Sequence, residues 1–429
     1  MSLSAGRGEP SDRRRLAKTG EGERDDIMAA LGQFGGRGTP QLFASAPYGV
    51  TADKDEAAAT RRGALMSTQG VSGALRKLWT TLQSLGHLAR AGQWWDYKLV
   101  PIFAAFYATA LVLQAPVSSL GWAVAQLLLS IIPGAAYVSF VNDLADEADD
   151  RAAGKPNRMA GRSPAGKALL ICLPVAAGLG FAWLWRDSPL LLGCYLGAWA
   201  AFTLYSLPPV RLKTRGGPGL LADAAGAHMF PALVAAALAA HVTGRHPGGV
   251  WLFAIAVWAM AYGIRGILWH QIGDADNDDR SKVATFVQRH STQLAGRLGA
   301  WVIFPVELAA FGVLLWRLDS GLVVAGLITY ALFCWARIKW LKVRPAAVMP
   351  GGTYFLIGHL YYDLLFPISL LLAYAAVSMD ALWLVVLQLA LFPGRILALV
   401  DELRLLAPRI RRAVAARVRQ AGLFPKRQG

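Results

Sequence analysis

From residue 100 onward the chain is a succession of apolar runs, each close to the length of a membrane-crossing helix and each closed by a short polar break. A hydrocarbon core of about 30 Å calls for roughly 20 apolar residues per helix. On that measure the pattern predicts nine core spans, at 100–118, 120–141, 167–186, 189–207, 220–241, 249–269, 298–316, 321–337 and 363–379, with a shorter tenth candidate at 381–395. Upstream the pattern differs. Residues 1–72 lack periodic apolar positions and are rich in Gly, Ser and charged residues, which predicts a disordered basic tail. Leu75, Leu78, Trp79, Leu82, Leu85 and Leu88 then recur at three- and four-residue spacing, so 73–97 reads as an interfacial amphipathic helix ending in the aromatic anchor Trp94-Trp95-Asp96-Tyr97-Lys98. The predicted architecture is an all-α, polytopic membrane bundle over 98–380, followed by an extra helix and a basic tail over 381–429.

Composition agrees with a membrane setting. Of the 429 residues, 55% are hydrophobic and only 16% charged, and the mean hydropathy of +0.40 is too oily for a soluble domain of this length. The formal charge of +16 would suggest nucleic acid in a soluble protein, but the cations gather in the tails and in alternate loops. Arg151, Lys155, Arg158, Arg162 and Lys167 follow the second span; Arg211, Lys213 and Arg215 the fourth; Arg280, Lys282, Arg289 and Arg297 the sixth; Lys339, Lys342 and Arg344 the eighth. The opposite loops are short and nearly uncharged, so the positive-inside rule accounts for the charge without a nucleic-acid partner. The chain reads as a multi-pass protein of a bacterial-type inner or plasma membrane, with membrane lipids as its surroundings and the basic loops in the cytoplasm. Cys172, Cys194 and Cys334 all lie inside apolar runs without metal-ligand spacing and read as packing residues.

Two acid-rich runs stand at the cytoplasmic mouths of the second and sixth spans. On a helix, Asn142, Asp146 and Asp150 fall at i, i+4 and i+8 with Asp143 beside them, while Asp274 and Asp278 fall at i and i+4. Carboxylates clustered at membrane helix ends repel one another unless water or divalent cations screen them. Mg²⁺ held by such carboxylates and completed by phosphate oxygens reverses the sign of their interaction with a diphosphate and stabilises charge on a departing one. Lys155, Asn157, Arg158, Arg211 and Lys213 are candidates for the rest of the phosphate cradle, with topology signalling as the other open reading of the four cations. Arg265, two turns before Asp274, either approaches phosphate, snorkels to the interface or pairs structurally. Tyr137 and Tyr205 are candidates to stack on a hydrocarbon chain, and His228, Glu307 and His359 to line an acceptor pocket; packing is the competing reading for all five. Loose cues shared after the second and sixth spans, such as Ala165-Gly166-Lys167 against Ala295-Gly296-Arg297, suggest an internal repeat that would set the two ladders across one cavity.

These residues resemble the UbiA superfamily of intramembrane prenyltransferases. Asn142, Asp143, Asp146 and Asp150 match its first signature, NDxxDxxxD; Asp274 and Asp278 match the second, DxxxD, with Thr285 seven residues on; and Tyr205-Ser206-Leu207-Pro208-Pro209-Val210-Arg211-Leu212-Lys213 is similar to the segment after its fourth helix. The resemblance covers about residues 95–380. It implies Mg²⁺-dependent ionisation of an allylic prenyl diphosphate and alkylation of an acceptor, with Asp143, Asp146, Asp150, Asp274 and Asp278 catalytic, these and Asn142 on the metals, and Asn142, Lys155, Arg158, Tyr205, Arg211, Lys213 and Arg265 on the substrate. By family frequency the acceptor is a lipophilic or aromatic ring of the quinone-precursor type, with non-aromatic acceptors and terpene cyclisation as alternatives. One departure is that His270-Gln271 stand where many members place Asn-Asp. An ion-coupled transporter and a structural scaffold are competing classes, but the acids sit at one membrane face rather than at its midplane. Oligomeric state is not readable from the sequence.

Overall fold

The structure, a computed structural model, describes residues 86, 90–152, 154–281, 284–348 and 354–420. The expected disordered tail and most of the expected 73–97 helix lie outside the described residues. The chain is helical almost throughout. Helix α1 occupies residues 91–112, beginning as Ala91–Trp94, passing through a π turn at Trp95–Leu99 and continuing as Val100–Val112. It is followed by α2 (Val117–Ala152), α3 (Pro164–Leu184), α4 (Pro189–Ser206), α5 (Gly217–Thr243), α6 (Gly249–Gly273), α7 (Thr292–Leu318), α8 (Gly321–Leu341), α9 (Tyr361–Val377), α10 (Leu382–Leu391) and α11 (Pro393–Gln420). Short helices at Ala275–Ser281 and Phe286–His290 lie between α6 and α7, and a two-stranded parallel ladder, β1 (Arg344–Ala346) and β2 (Tyr354–Leu356), between α8 and α9.

Local chemistry sets several boundaries. Ser163 accepts a hydrogen bond from the Gly166 amide with Pro164 in the first turn, a start signal for α3. Gly244, at φ 63°, closes α5 in the left-handed conformation that glycine adopts without penalty. The expected tenth span does not continue through residue 395. The α10 axis turns by 79° into α11, and Pro393 opens the new helix, its missing N–H and fixed φ suiting a first turn.

Seven helices among the described residues, α2 to α8, are long and apolar enough to cross a membrane, and α9 is a shorter apolar helix. The expected count of nine is therefore not reached on length and apolarity. In α1 the apolar stretch Val100–Val112 has only 13 residues, because the charged π turn precedes it. That stretch is nevertheless the centre of the bundle: every residue from Val100 to Ala110 is buried, as in a helix that is apolar all round. α1 packs on α5 and α9; α2 on α3 and α4; α5 on α4 and α6; α6 on α7; and α8 on α9. The outside of the bundle exposes Trp122, Trp183, Phe253, Trp301 and Trp316, an apolar surface suited to lipid. Of the cysteines, Cys194 is buried, Cys334 half-buried and Cys172 exposed on α3.

Two sets of ions lock the bundle. Arg265 on α6 and Glu307 on α7, 1% and 0% exposed, form a two-pronged pair with both N–O distances 2.7 Å, and Arg265 also donates to the Ala347 carbonyl at 2.9 Å. The carboxyl-terminal helices are tied down separately. Arg395 of α11 approaches the buried Asp363 at 3.3 Å, donates to the Asp96 carbonyl at 3.0 Å and lies 3.7 Å from the centre of the Tyr97 ring. Arg337 grips Glu402 through two nitrogens, at 2.8 and 2.6 Å, and the Trp95 indole donates to the Leu391 carbonyl at 2.7 Å.

Removing one partner of a buried pair strands the other charge, at a cost of about 3–5 kcal/mol. Glu307→Ala is therefore expected to lower the melting temperature in detergent, read by intrinsic tryptophan fluorescence, far more than Glu147→Ala, whose partners Arg151 and Lys167 both reach solvent. Arg395→Ala is expected to free the carboxyl-terminal helices to protease before the bundle melts, and simultaneous loss of both would refute a separate clamp.

Candidate active site

α2 is 36 residues long and carries its acids on its last turns. Its cavity-facing stripe runs Ser130, Gly134, Tyr137, Val138, Asn142, Asp146, Asp149 and Asp150, changing from apolar to acidic along one face. Four other helices close the space: α1 through Trp94, Lys98, Leu99 and Ile102; α4 through Tyr195, Trp199, Phe202 and Tyr205; α5 through Asp223, Gly226, Ala227, Pro231 and Val234; and α6 through Ile267, His270, Gln271 and Asp274. The cavity holds about 410 Å³. At its polar end are Asn142, Asp146, Asp149, Asp150, Asp274 and Asp278 together with Arg90, Lys98, Lys155, Arg211 and Lys213. Both ladders thus line one cavity.

The second ladder is built differently from the first. α6 stops at Gly273, Asp274 is its C-cap, and Asp278 sits on the short helix that follows. The i, i+4 relation survives because the Asp278 amide donates to the Asp274 carbonyl at 2.9 Å across the junction. Asp274 lies 3.2 Å from His270 Nδ1, and Asp278 is hydrogen-bonded by Thr285. Burial pushes the Asp274 carboxyl up, with Lys155 opposing it; burial and the Asp274 charge raise Asp278, against the Thr285 hydrogen bond.

The first ladder is already gripped by cations. Lys213 Nζ lies 2.8 Å from Asn142 Oδ1 and 2.5 and 2.6 Å from the two Asp146 oxygens. Arg211 donates to Asp146 and Asp149, at 2.7 Å each. Burial lowers the Lys213 pKa despite Asp146, whereas at Arg211 the hydrogen bonds to Asp149 and Asp146 together outweigh burial and raise it. Asn157 positions Asp150, donating to its Oδ2 at 2.8 Å and to the Asp143 carbonyl at 2.7 Å.

Three oxygens from Asn142 and Asp146 therefore converge on a single positive charge, which is the donor set a hard cation requires. Among the described residues no three His, Cys, Asp or Glu side chains converge to hold a metal, so the chain builds no closed cage. Mg²⁺ does not need one, because it is usually held by one or two carboxylates plus water and substrate phosphate. On these grounds the residues fit the ion.

Some predicted residues lie elsewhere. Asp143 is not among the cavity-lining residues; it is 1% exposed, ion-paired with Arg90, which does line the cavity, and 3.6 Å from Arg158. Arg158 likewise does not line the cavity, and Arg265 is committed to Glu307. The structure thus realises the structural-pairing reading of Arg265, since its partner comes from a neighbouring helix. His228 and His359 pack on either side of Tyr262, each with ring centres 5.3 Å away, outside the cavity lining. Tyr137 and Tyr205 do line it, and Tyr137 is fixed by a 2.9 Å hydrogen bond with Thr203 and by the Trp199 ring at 4.8 Å. Sequence reasoning missed Arg90, Lys98 and Asp149 at the cavity wall and, above all, Asp223. The signal was available as the lone carboxylate in an otherwise apolar run of membrane length.

The UbiA prenyltransferase family model matches residues 99–348. Similar solved structures are of a UbiA homolog from Archaeoglobus fulgidus. The form bound to DMAPP and Mg²⁺ is 16% identical, covers 68% of this chain and 98% of its own, with a TM-score of 0.47. The form bound to GPP and Mg²⁺ is 15% identical, with 72% and 99% covered and a TM-score of 0.47. No curated protein is similar enough to match. The family match spans more than half of the chain and includes both ladders and the Lys213 loop, and the protein is an integral-membrane member of the UbiA prenyltransferase family.

Proposed function

We propose that the protein transfers a polyprenyl group, in a Mg²⁺-dependent reaction, from an allylic prenyl diphosphate to an acceptor, and that the acceptor is an aromatic ring of the quinone-precursor type. The observation that carries this reading is the polarity of one cavity: two carboxylate ladders with Lys155, Arg211 and Lys213 at one end, and Tyr137, Tyr195, Trp199 and Phe202 further in. An amphiphile with an anionic head and a hydrocarbon tail matches that gradient. The positive-inside pattern of the loops supports a polar end that faces the cytoplasm, from which a water-soluble diphosphate head could enter.

Asn142, Asp146 and Asp150 would hold one metal ion, Asp274 and Asp278 another. Bound Mg²⁺ supplies Lewis-acid stabilisation of the departing diphosphate. Lys213 and Arg211, which now share Asp146, are within reach of any phosphate drawn to that carboxylate through a metal, and their fork and ammonium donors suit phosphate oxygens. Lys155, whose charge acts on both Asp274 and Asp278, is placed to bridge the two ladders. The aromatic rings that line the cavity can stabilise an allylic cation through their quadrupoles while excluding water. Gly226 makes room for one of them, since a Cβ there would come within 2.8 Å of the Phe202 ring.

The test is diphosphate release from labelled geranyl, farnesyl and geranylgeranyl diphosphates by full-length protein in lipid, with a panel of aromatic and hydroxyl acceptors. Release is expected only with Mg²⁺, to fall at least about 100-fold in Asp146→Ala, and to fall about 10–100-fold in Lys213→Ala. Equal release in EDTA, or an Asp146→Ala enzyme with full activity, would remove the metal-diphosphate reading. Labelled product identifies the acceptor, and a labelled cyclic hydrocarbon in place of a prenylated ring would correct its class.

A further inference from the structure

Prenyl transfer leaves a proton to be placed. When the allylic C1–O bond breaks, its electrons leave with the diphosphate. The acceptor then donates an electron pair to form the new bond to C1, and its own C–H or O–H bond must break to restore neutrality. The proton needs a base beside C1. Of the groups beside C1, the departed diphosphate would have its charge drawn off by the metals that hold it, the cations of the cavity cannot serve, and neither ladder is free: Asp146 and Asp149 are held by Lys213 and Arg211, Asp150 by Asn157, Asp274 by His270 and Asp278 by Thr285.

Asp223 is different. It is the lone carboxylate of α5, and it forms no hydrogen bond or ion pair with any described residue. A carboxylate in a membrane-length helix is costly unless it faces water or a polar cavity, and Asp223 lines the cavity, close enough to Tyr205 and His270 to interact with both electrostatically. Its level in the cavity is informative. From Asp223 the α5 wall continues through Gly226, Ala227, Pro231 and Val234, all apolar or without side chains, so Asp223 stands where the polar end gives way to the hydrocarbon cavity. In a prenyl diphosphate, C1 is the atom at that junction. A π turn at Ala225–Met229 begins two residues beyond Asp223, a departure from regular helix of the kind found at functional sites.

We infer that Asp223 is the base that accepts the proton lost by the acceptor when C1 is attacked, passing it to water at the polar end. The inference rests on the proposed prenyl transfer, but its failure is separable from the failure of that reading. Asp223→Asn keeps the shape and removes the basicity. With labelled geranylgeranyl diphosphate, Mg²⁺ and the acceptor panel, the variant is expected to release diphosphate within about threefold of the wild-type rate. Products that have lost a proton, prenylated acceptor or olefin, fall at least about 100-fold, and the label is diverted to prenyl alcohol. Asp223→Glu recovers part of the transfer. The affinity for an unreactive thiolo analogue of the donor stays unchanged, which reports an intact fold and donor site. The inference is overturned if Asp223→Asn retains transfer, if it loses analogue binding and diphosphate release together, which would place Asp223 on the donor, or if the wild-type enzyme yields prenyl alcohol alone.

Discussion

The structure depends on a concentration of like charge that the fold must neutralise. Six aspartates, five of them at one end, line a cavity inside an otherwise apolar bundle, and five Lys or Arg side chains line it with them. Charges in such surroundings repel strongly over a few ångströms, and partial burial weakens the screening that water would provide. The pairing of Lys213 and Arg211 with Asp146 makes the arrangement tolerable. It also makes it responsive. Under the proposed function, a bare diphosphate would make this near-balanced cavity strongly anionic, and a divalent cation arriving with the donor would offset that charge.

The rest of the fold serves that end of the cavity. The apolar helix α1 fills the middle of the bundle, and its π turn brings Trp94, Lys98 and Leu99 to the cavity wall. Arg90, just before it, pairs with Asp143, so the second residue of the first signature anchors the amino-terminal edge of the site rather than lining it. Beyond the family match, Arg395 reaches the same π turn from α11 through the Asp96 carbonyl and the Tyr97 ring. The carboxyl-terminal helices therefore buttress a wall of the site without entering the cavity.

Much of this was legible in the sequence for a physical reason. Helical periodicity places Asn142, Asp146 and Asp150 on one face whatever surrounds them, and membrane-length apolar runs leave few alternatives to a bundle. What periodicity could not show was partnership across helices. Arg265 and Glu307 are 42 residues apart, and nothing local distinguishes a buried pair from two independent cavity residues. Asp143 illustrates a finer limit: one position along a helix turns a side chain by about 100°, enough to take it out of the cavity lining and behind Arg90, its ion-pair partner. The tenth candidate bends by 79° at Pro393 instead of running straight to residue 395, because an apolar run reports oiliness rather than direction. Asp223 belongs to no run of acid, although a single acid in oil carries the stronger energetic argument for a site.

The most direct measurement of the central claim is equilibrium binding of an unreactive thiolo analogue of geranylgeranyl diphosphate to the full-length protein in nanodiscs, with Mg²⁺ and with EDTA. If metal reverses the sign of the interaction between the ladders and the diphosphate, the analogue binds at least about tenfold more tightly with Mg²⁺, and Asp146→Asn abolishes the difference. Equal affinity in the two conditions would contradict the account, leaving Lys213 and Arg211 to hold the donor alone.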